Sequence, residues 1–190
     1  MSQEQDLAVS LLELRLGTSL GHGMDVQCRT IQVVGMIDDD MFRHVDSCLT
    51  FLEDGSKKAI TIRISSDGGH PSSAFAIIGR IRASKCQIIC EGYGIVASAA
   101  TIVLAAGKRR RMSEFCQFMT HQSAYVVEGK HTQVQEYVAQ AERDERLWAS
   151  FMAKFSKMPT DHWYALHKTG KDKFFGAQEC LEMGIVDEIF

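Results

Sequence analysis

The chain of 190 residues has six cysteines but no C-x-x-C pair and no metal-like cysteine spacing. That argues against a dithiol redox centre and a zinc ribbon. Its seven histidines include no H-E-x-x-H, so the signature of a zinc peptidase is missing. No G-x-x-x-x-G-K-[ST] loop occurs, so the phosphate cradle of that motif is missing. No apolar run reaches the length of about 18 residues that suggests a membrane span. The start, "MSQEQDLAVS", lacks the basic stretch and apolar segment of a signal peptide. There is no surplus of positive charge either: the net charge is -3, which gives no global attraction to nucleic acid or membrane. Repeats and low-complexity tracts are also missing. What remains is a chain 45% hydrophobic, long enough for one well-filled core. Cys48, Cys86, Cys90 and Cys116 lie in apolar surroundings and read as buried thiols in a reducing compartment, so the expected location is cytoplasmic.

Strand-like and helix-like segments alternate along this chain. "RTIQVVG" reads as a strand, and "MIDDDMFRHVDSCLTFLED" as a helix with Asp38, Asp39 and Asp40 at its start. "AITIRIS" alternates as a strand does, and "SDGGHPSS" reads as a turn. In the next helix Phe75, Ile78 and Ile81 are expected on the buried side, with Ile77 near its edge. "CQIICEG" predicts a strand, the alanine-rich segment after Val96 a buried helix, and "EFCQFMTHQ" a strand ending at His121. A long helix is expected from about His131 to Phe155, with a stripe that includes Val134, Val138, Trp148 and Phe151. Asp161 can cap a shorter helix after Pro159, and "IVDEIF" closes the chain as a small strand. The pattern argues an α/β fold with mostly parallel strands. The compact basic run "GKRRRM" lacks interleaved aromatics and reads as a solvated turn or an oligomer contact, not a nucleic-acid site.

One stretch combines a nucleophile with unusually small neighbours. In "GYGIVASAATIVLAAG" Ser98 follows Gly92 and Gly94 and sits among alanines, at an expected strand-to-helix junction. A hydroxyl needs a base to take its proton, and the oxyanion it creates needs donors already in place. His121 ends another strand, and the glycines of "SDGGH" allow close approach to a ligand. Spacing alone does not choose between readings. G-x-x-x-S is not the G-x-S-x-G elbow, and Ser98 also fits a packed serine bonded to a helix carbonyl. His121 equally fits a structural histidine, Asp172 a solvated turn residue, and Gly68 and Gly69 a plain turn. His22, His44, His70, His131, His162 and His167 are scattered and default to structural or surface roles.

Taken together, "SDGGHPSSAFAI", "EGYGIVASAATIVLAAGKR", "FMTHQ" and "KDKFFGAQECLEMGIVD" change that balance. In this order and spacing the chain resembles the proteolytic subunit of the ATP-dependent Clp protease family, from about Cys28 to Phe190. The resemblance implies a ClpP/crotonase-type spiral of mostly parallel strands with flanking helices and a protruding strand-helix handle at about 123–155. By it Ser98 matches the nucleophile, His121 the general base and Asp172 the residue orienting the histidine. Gly69 and Ala99 fall where the family takes its oxyanion-hole N–H groups, and no metal or organic cofactor is implied. Residues 1–27 would be an N-terminal arm or axial segment, and 28–190 a single peptidase domain.

The implied activity is serine endopeptidase cleavage of peptides or unfolded proteins inside a homo-heptamer or tetradecamer, with an ATPase unfoldase as partner. Phe42, Phe75, Trp148 and Phe151 are surplus apolar surface for such an assembly, and 123–133 would make the ring-to-ring contact. The sequence departs from the family pattern at Asp67 and Ser123, both where a proline is usual, and in "SAYVVEGKHTQVQ", which lacks paired glycines. Two other classes stand beside the peptidase. One is a catalytically silent or regulatory ring homologue; the other is a crotonase-type acyl-CoA enzyme, which would not need Ser98, His121 and Asp172 together.

Overall fold

A computed structural model describes residues 23–190. The arm expected at 1–27 lies outside the described residues except for its last few, and there Met24–Asp25 form a short strand, β1. β1 runs antiparallel to β2 (Thr30–Ile37), so the sheet begins upstream of Cys28. Asp38 then caps α1 (Asp39–Glu53), its side chain accepting the Met41 N–H, and Asp39 and Asp40 occupy the favourable first turn.

β3 (Ile60–Gly69) lies parallel to β2, with Thr61 opposite Thr30 and Gly69 opposite Ile37. The turn expected over "SDGGHPSS" is therefore strand as far as Gly69 and helix from Pro71. Its glycines let the ladder continue: a Cβ on Gly69 would come within 2.3 Å of the Ile37 carbonyl oxygen. The connection shrinks to His70, whose N–H reaches Ile37 O at 2.7 Å, and Pro71 opens α2 (Pro71–Arg82). On α2 it is Ile77 that is wholly buried, along with Ile78 and Ile81, while Phe75 is half-buried. The expected positions of Ile77 and Phe75 are thus reversed.

β4 (Ile88–Ala97) is the pivot of the sheet and leads into α3 (Ala99–Ala105). Its first half, Ile89 to Gly92, pairs with β5 (Arg109–Met112), and its second half, Ile95 to Ala97, pairs with β6 (Gln117–Thr120). Gly94, at φ +57°, sits at the fork between the two pairings. The fork holds the end of β4 against the end of β6.

α4 (His131–Lys154) and α5 (Thr160–Lys168) follow, then β7 (Lys173–Phe175), α6 (Ala177–Glu182) and β8 (Glu188–Ile189). The main path of the sheet is β1-β2-β3-β4-β5-β8, with β6 on β4 and β7 antiparallel on β6. The result is an α/β fold with a mixed, mainly parallel central sheet and flanking helices. Buried faces of α1, α2 and α3 fill the core with residues such as Leu49, Ile77 and Leu104, each worth about 1.5–3 kcal/mol on burial. No helix among the described residues is long and apolar enough to cross a membrane.

Four further expectations need correction. "GKRRRM" is not a solvated turn but contains β5, whose arginines are neutralised by neighbours distant in sequence. Arg109 pairs with Glu188, Arg110 with Asp187, and Arg111 with the buried Glu91 at 2.6 Å. Asp161 does not cap α5; Pro159 holds that position and Asp161 lies in the first turn. The handle has its helix but no strand, because the backbone of 121–130 finds no neighbouring strand among the described residues with which to form a ladder. Val126 in that segment is fully exposed, as are large parts of Tyr137 and Val138 on the early turns of α4. Trp148, by contrast, is no assembly surface. It is buried against Trp163 with ring centroids 5.6 Å apart.

Candidate active site

Ser98 stands between β4 and α3 with φ 53° and ψ -123°, a conformation that few side-chain-bearing residues adopt. Such a backbone costs on the order of 1–3 kcal/mol and has to be held by its surroundings. Two supports are visible. The Ser98 N–H donates to the Met119 carbonyl of β6 at 2.8 Å, extending the β4–β6 ladder. On the other side Gly68 packs so closely that a Cβ there would lie 2.7 Å from Ser98 Cβ and 2.9 Å from the Ala99 nitrogen.

The same ladder delivers the histidine. Ala97 lies opposite Met119, so His121, just beyond the end of β6, comes alongside Ser98. His121 Nε2 is 2.7 Å from Ser98 Oγ, the distance at which the hydroxyl donates to an unprotonated ring nitrogen. Asp172 arrives through β7. Lys173 pairs with Thr120, which brings Asp172, one residue earlier, to His121. Its Oδ1 is 3.8 Å from His121 Nδ1, and the Asp172 side chain is 58% exposed. That is an ion-pair distance, longer than a hydrogen bond. Asp187, in contrast, is taken by Arg110: partial burial pushes its carboxyl up, but the Arg110 hydrogen bonds outweigh this and hold it below the usual range.

Gly69 is exposed on the rim, beside the Gly68 contact, at φ +153°. Ala99 supplies the first N–H of α3, a position without an intrahelical acceptor. All five residues singled out in the sequence therefore lie in one place. Ser98, His121, Gly69 and Ala99 also line a cavity of about 290 Å³, with apolar walls from Ile102 and Trp148.

Sequence reasoning missed the layer beneath. Thr101 Oγ1 donates to the Ser98 carbonyl, and the Trp148 indole N–H donates to Thr101 Oγ1 at 3.2 Å. Trp148 stacks on His167 with centroids 4.1 Å apart, and His167 Nε2 lies 2.6 Å from Thr120 Oγ1, next to His121. Burial, reinforced by the nearby His121, lowers the His167 pKa to about 4. His167 is therefore neutral at pH 7. A signal was available: His167 follows the wholly buried Trp163 by four residues, on one face of α5.

Four of the buried thiols are poor nucleophiles. Desolvation pushes Cys90, Cys116 and Cys180 up to about 12 and Cys48 to about 11. No group of His, Cys, Asp and Glu among the described residues could hold a metal ion.

Comparisons with known proteins bear on the family of the whole chain. The family description "Clp protease" matches residues 23–190. The ATP-dependent Clp protease proteolytic subunit 2 of Treponema denticola is 29% identical over 164 residues, covering 85% of this chain and 81% of that protein. The ATP-dependent Clp protease proteolytic subunit of Carsonella ruddii is 27% identical over 165 residues, covering 85% and 83%. Among solved structures, a ClpP1 mutant from Listeria monocytogenes superposes with a TM-score of 0.74 at 27% identity, covering 92% of this chain and 95% of that one.

Proposed function

We propose, from the premise that this chain belongs to the Clp protease family, that it is a serine endopeptidase acting on peptides or unfolded proteins. The observation that carries the reading is the 2.7 Å contact between His121 Nε2 and Ser98 Oγ, at a strained serine beside an open cavity. His121 takes the hydroxyl proton as Ser98 attacks the peptide carbonyl, and Asp172 orients the ring and stabilises the imidazolium. The N–H groups of Gly69 and Ala99 receive the oxyanion, each donor being worth about 3–4 kcal/mol. His121 then protonates the leaving amine, and water resolves the acyl-enzyme. A peptide lies extended beside the residues after Gly69 and after Gln122, bonded through its main chain.

The assembled form belongs to the same proposal. Single-subunit active sites would face the chamber of a heptameric ring, single or paired, in the cytoplasm, with an ATPase unfoldase feeding it. The exposed Tyr125, Val126, Tyr137 and Val138 support a handle at 123–155 that meets another subunit. The sheet would form the crotonase-type spiral, and the expected axial arm would end before β1, which already belongs to that sheet. The test is hydrolysis of an extended fluorogenic peptide by the wild type and Ser98→Ala. Cleavage retained by the variant would overturn the assignment.

The 3.8 Å separation and the exposure of Asp172 favour a second reading, a catalytically silent or regulatory ring subunit whose triad stays open. The two readings part on the assembled protein: the first requires turnover there, and the second requires none.

A further inference from the structure

The cavity beside Ser98 contains more polar chemistry than the proposed peptide cleavage uses. Glu145 of α4 and His167 of α5 both line it, 5% and 4% exposed respectively. Glu145 Oε2 and His167 Nδ1 are buried and have no hydrogen-bond partner among the described residues. Asp67 and Asp144 add two further carboxyl groups to the lining, and no lysine or arginine among the described residues lines it. Buried polar atoms are nearly always satisfied, so two unpartnered ones on residues that line one cavity point to a ligand that supplies donors.

The apolar part of the wall limits what that ligand is. Phe75, Ile102 and Trp148 offer surface for a hydrocarbon stem, and the acidic groups of the same lining offer partners for a charged head. A volume of about 290 Å³ takes one long side chain. The cavity is continuous with Ser98 and His121, so its occupant must be a residue next to the bond being cut.

We propose that this cavity is a specificity pocket for a basic side chain, in which Glu145 holds the ammonium or guanidinium of a lysine or arginine flanking the scissile bond. The inference rests on the peptidase reading above. His167, neutral near pH 7, contributes a second polar contact through Nδ1, with its orientation fixed by Thr120 and Trp148. A leucine in the same place would leave both buried atoms unpartnered, and discrimination of this origin is large.

The experiment uses the full chain as purified and a panel of fluorogenic peptides that differ only in the residue before the reporter: lysine, arginine, glutamine, leucine and phenylalanine. Lysine or arginine is expected to exceed leucine in kcat/KM by at least about thirtyfold. Glu145→Gln is expected to lower that ratio by tenfold or more. Fluorophosphonate labelling of Ser98 in the variant checks that the site is intact. The wild-type ranking decides even if the variant does not fold. A preference for leucine or phenylalanine, or glutamine cleaved as well as lysine, overturns the basic pocket while leaving the peptidase reading in place. No cleavage of any peptide together with no labelling overturns both.

Discussion

Replacing Gly68 with alanine is the sharpest test of how the fold holds its serine. The new Cβ would sit 2.7 Å from Ser98 Cβ, 2.8 Å from the Ala97 carbonyl oxygen and 2.9 Å from the Ala99 nitrogen. Non-bonded carbons rest at about 3.5–4.0 Å, so β3 and the Ser98 turn must separate by roughly 1 Å. None of these neighbours is the free end of a flexible side chain, and the shift falls on the reacting group itself. Misplacement of this size costs about 10²-fold in rate, or about 2.7 kcal/mol of transition-state stabilisation. Gly68 also has φ +101°, where alanine is strained by a further ~1–3 kcal/mol, which lowers thermal stability. The assay is kcat/KM on a fluorogenic peptide alongside thermal unfolding. Gly79→Ala provides the control: Gly79 is exposed within α2, a Cβ there would meet nothing within 4 Å, and alanine should stabilise by up to about 1 kcal/mol. Gly68→Ala with wild-type turnover would refute the claim that close packing of β3 positions Ser98.

Other perturbations probe the remaining parts. Ser98→Ala and His121→Ala should each remove nearly all activity, and the double variant should lose little more, because the pair acts as a unit; additive losses would separate their roles. Asp172→Asn should lower kcat by a factor of about 10²–10⁴, and a structure of the active assembly should bring Asp172 within about 3.2 Å of His121 Nδ1; turnover in which Asp172 remains turned to solvent would remove it from the triad. His167 predicts an acid sensitivity. Its pKa falls from 6.5 to about 4 on folding, so below 6.5 the unfolded chain binds a proton that the folded site refuses. Its contribution is complete above pH 6.5 and is lost as the pH falls towards 4, up to about 3 kcal/mol. Urea unfolding at pH 7 and pH 4.5 should show a smaller loss for His167→Gln than for wild type, and equal losses would contradict the assignment.

Much of this site is legible in the chain because its parts are local. "GYGIVASAAT" writes out a strand, a close-packed turn and a helix start, and "FMTHQ" puts a histidine at a strand end. What escaped depends on contacts between distant segments. "RRRM" looks solvated until Glu91, Asp187 and Glu188 are brought beside it, when it becomes a strand between β4 and β8. The glycines of "SDGG" signal a turn, yet here they allow a strand to continue under the Ile37 backbone. β7 is only a three-residue strand, too short to leave a periodic pattern, although it carries Asp172 to the site. Glu145 gives no sign in the sequence because acids on helices are usually solvated, and a lone histidine such as His167 defaults to a structural or surface role. Glu145 nevertheless shares a helical face with Trp148, Ala149 and Met152, all buried.

The most direct measurement of the central claim is mapping the adduct of a fluorophosphonate on the assembled protein by peptide mass spectrometry. The account predicts one modification per chain, on Ser98, formed rapidly by wild type and lost in His121→Ala although Ser98 is still present. No adduct on Ser98, or equally fast labelling without His121, would contradict it.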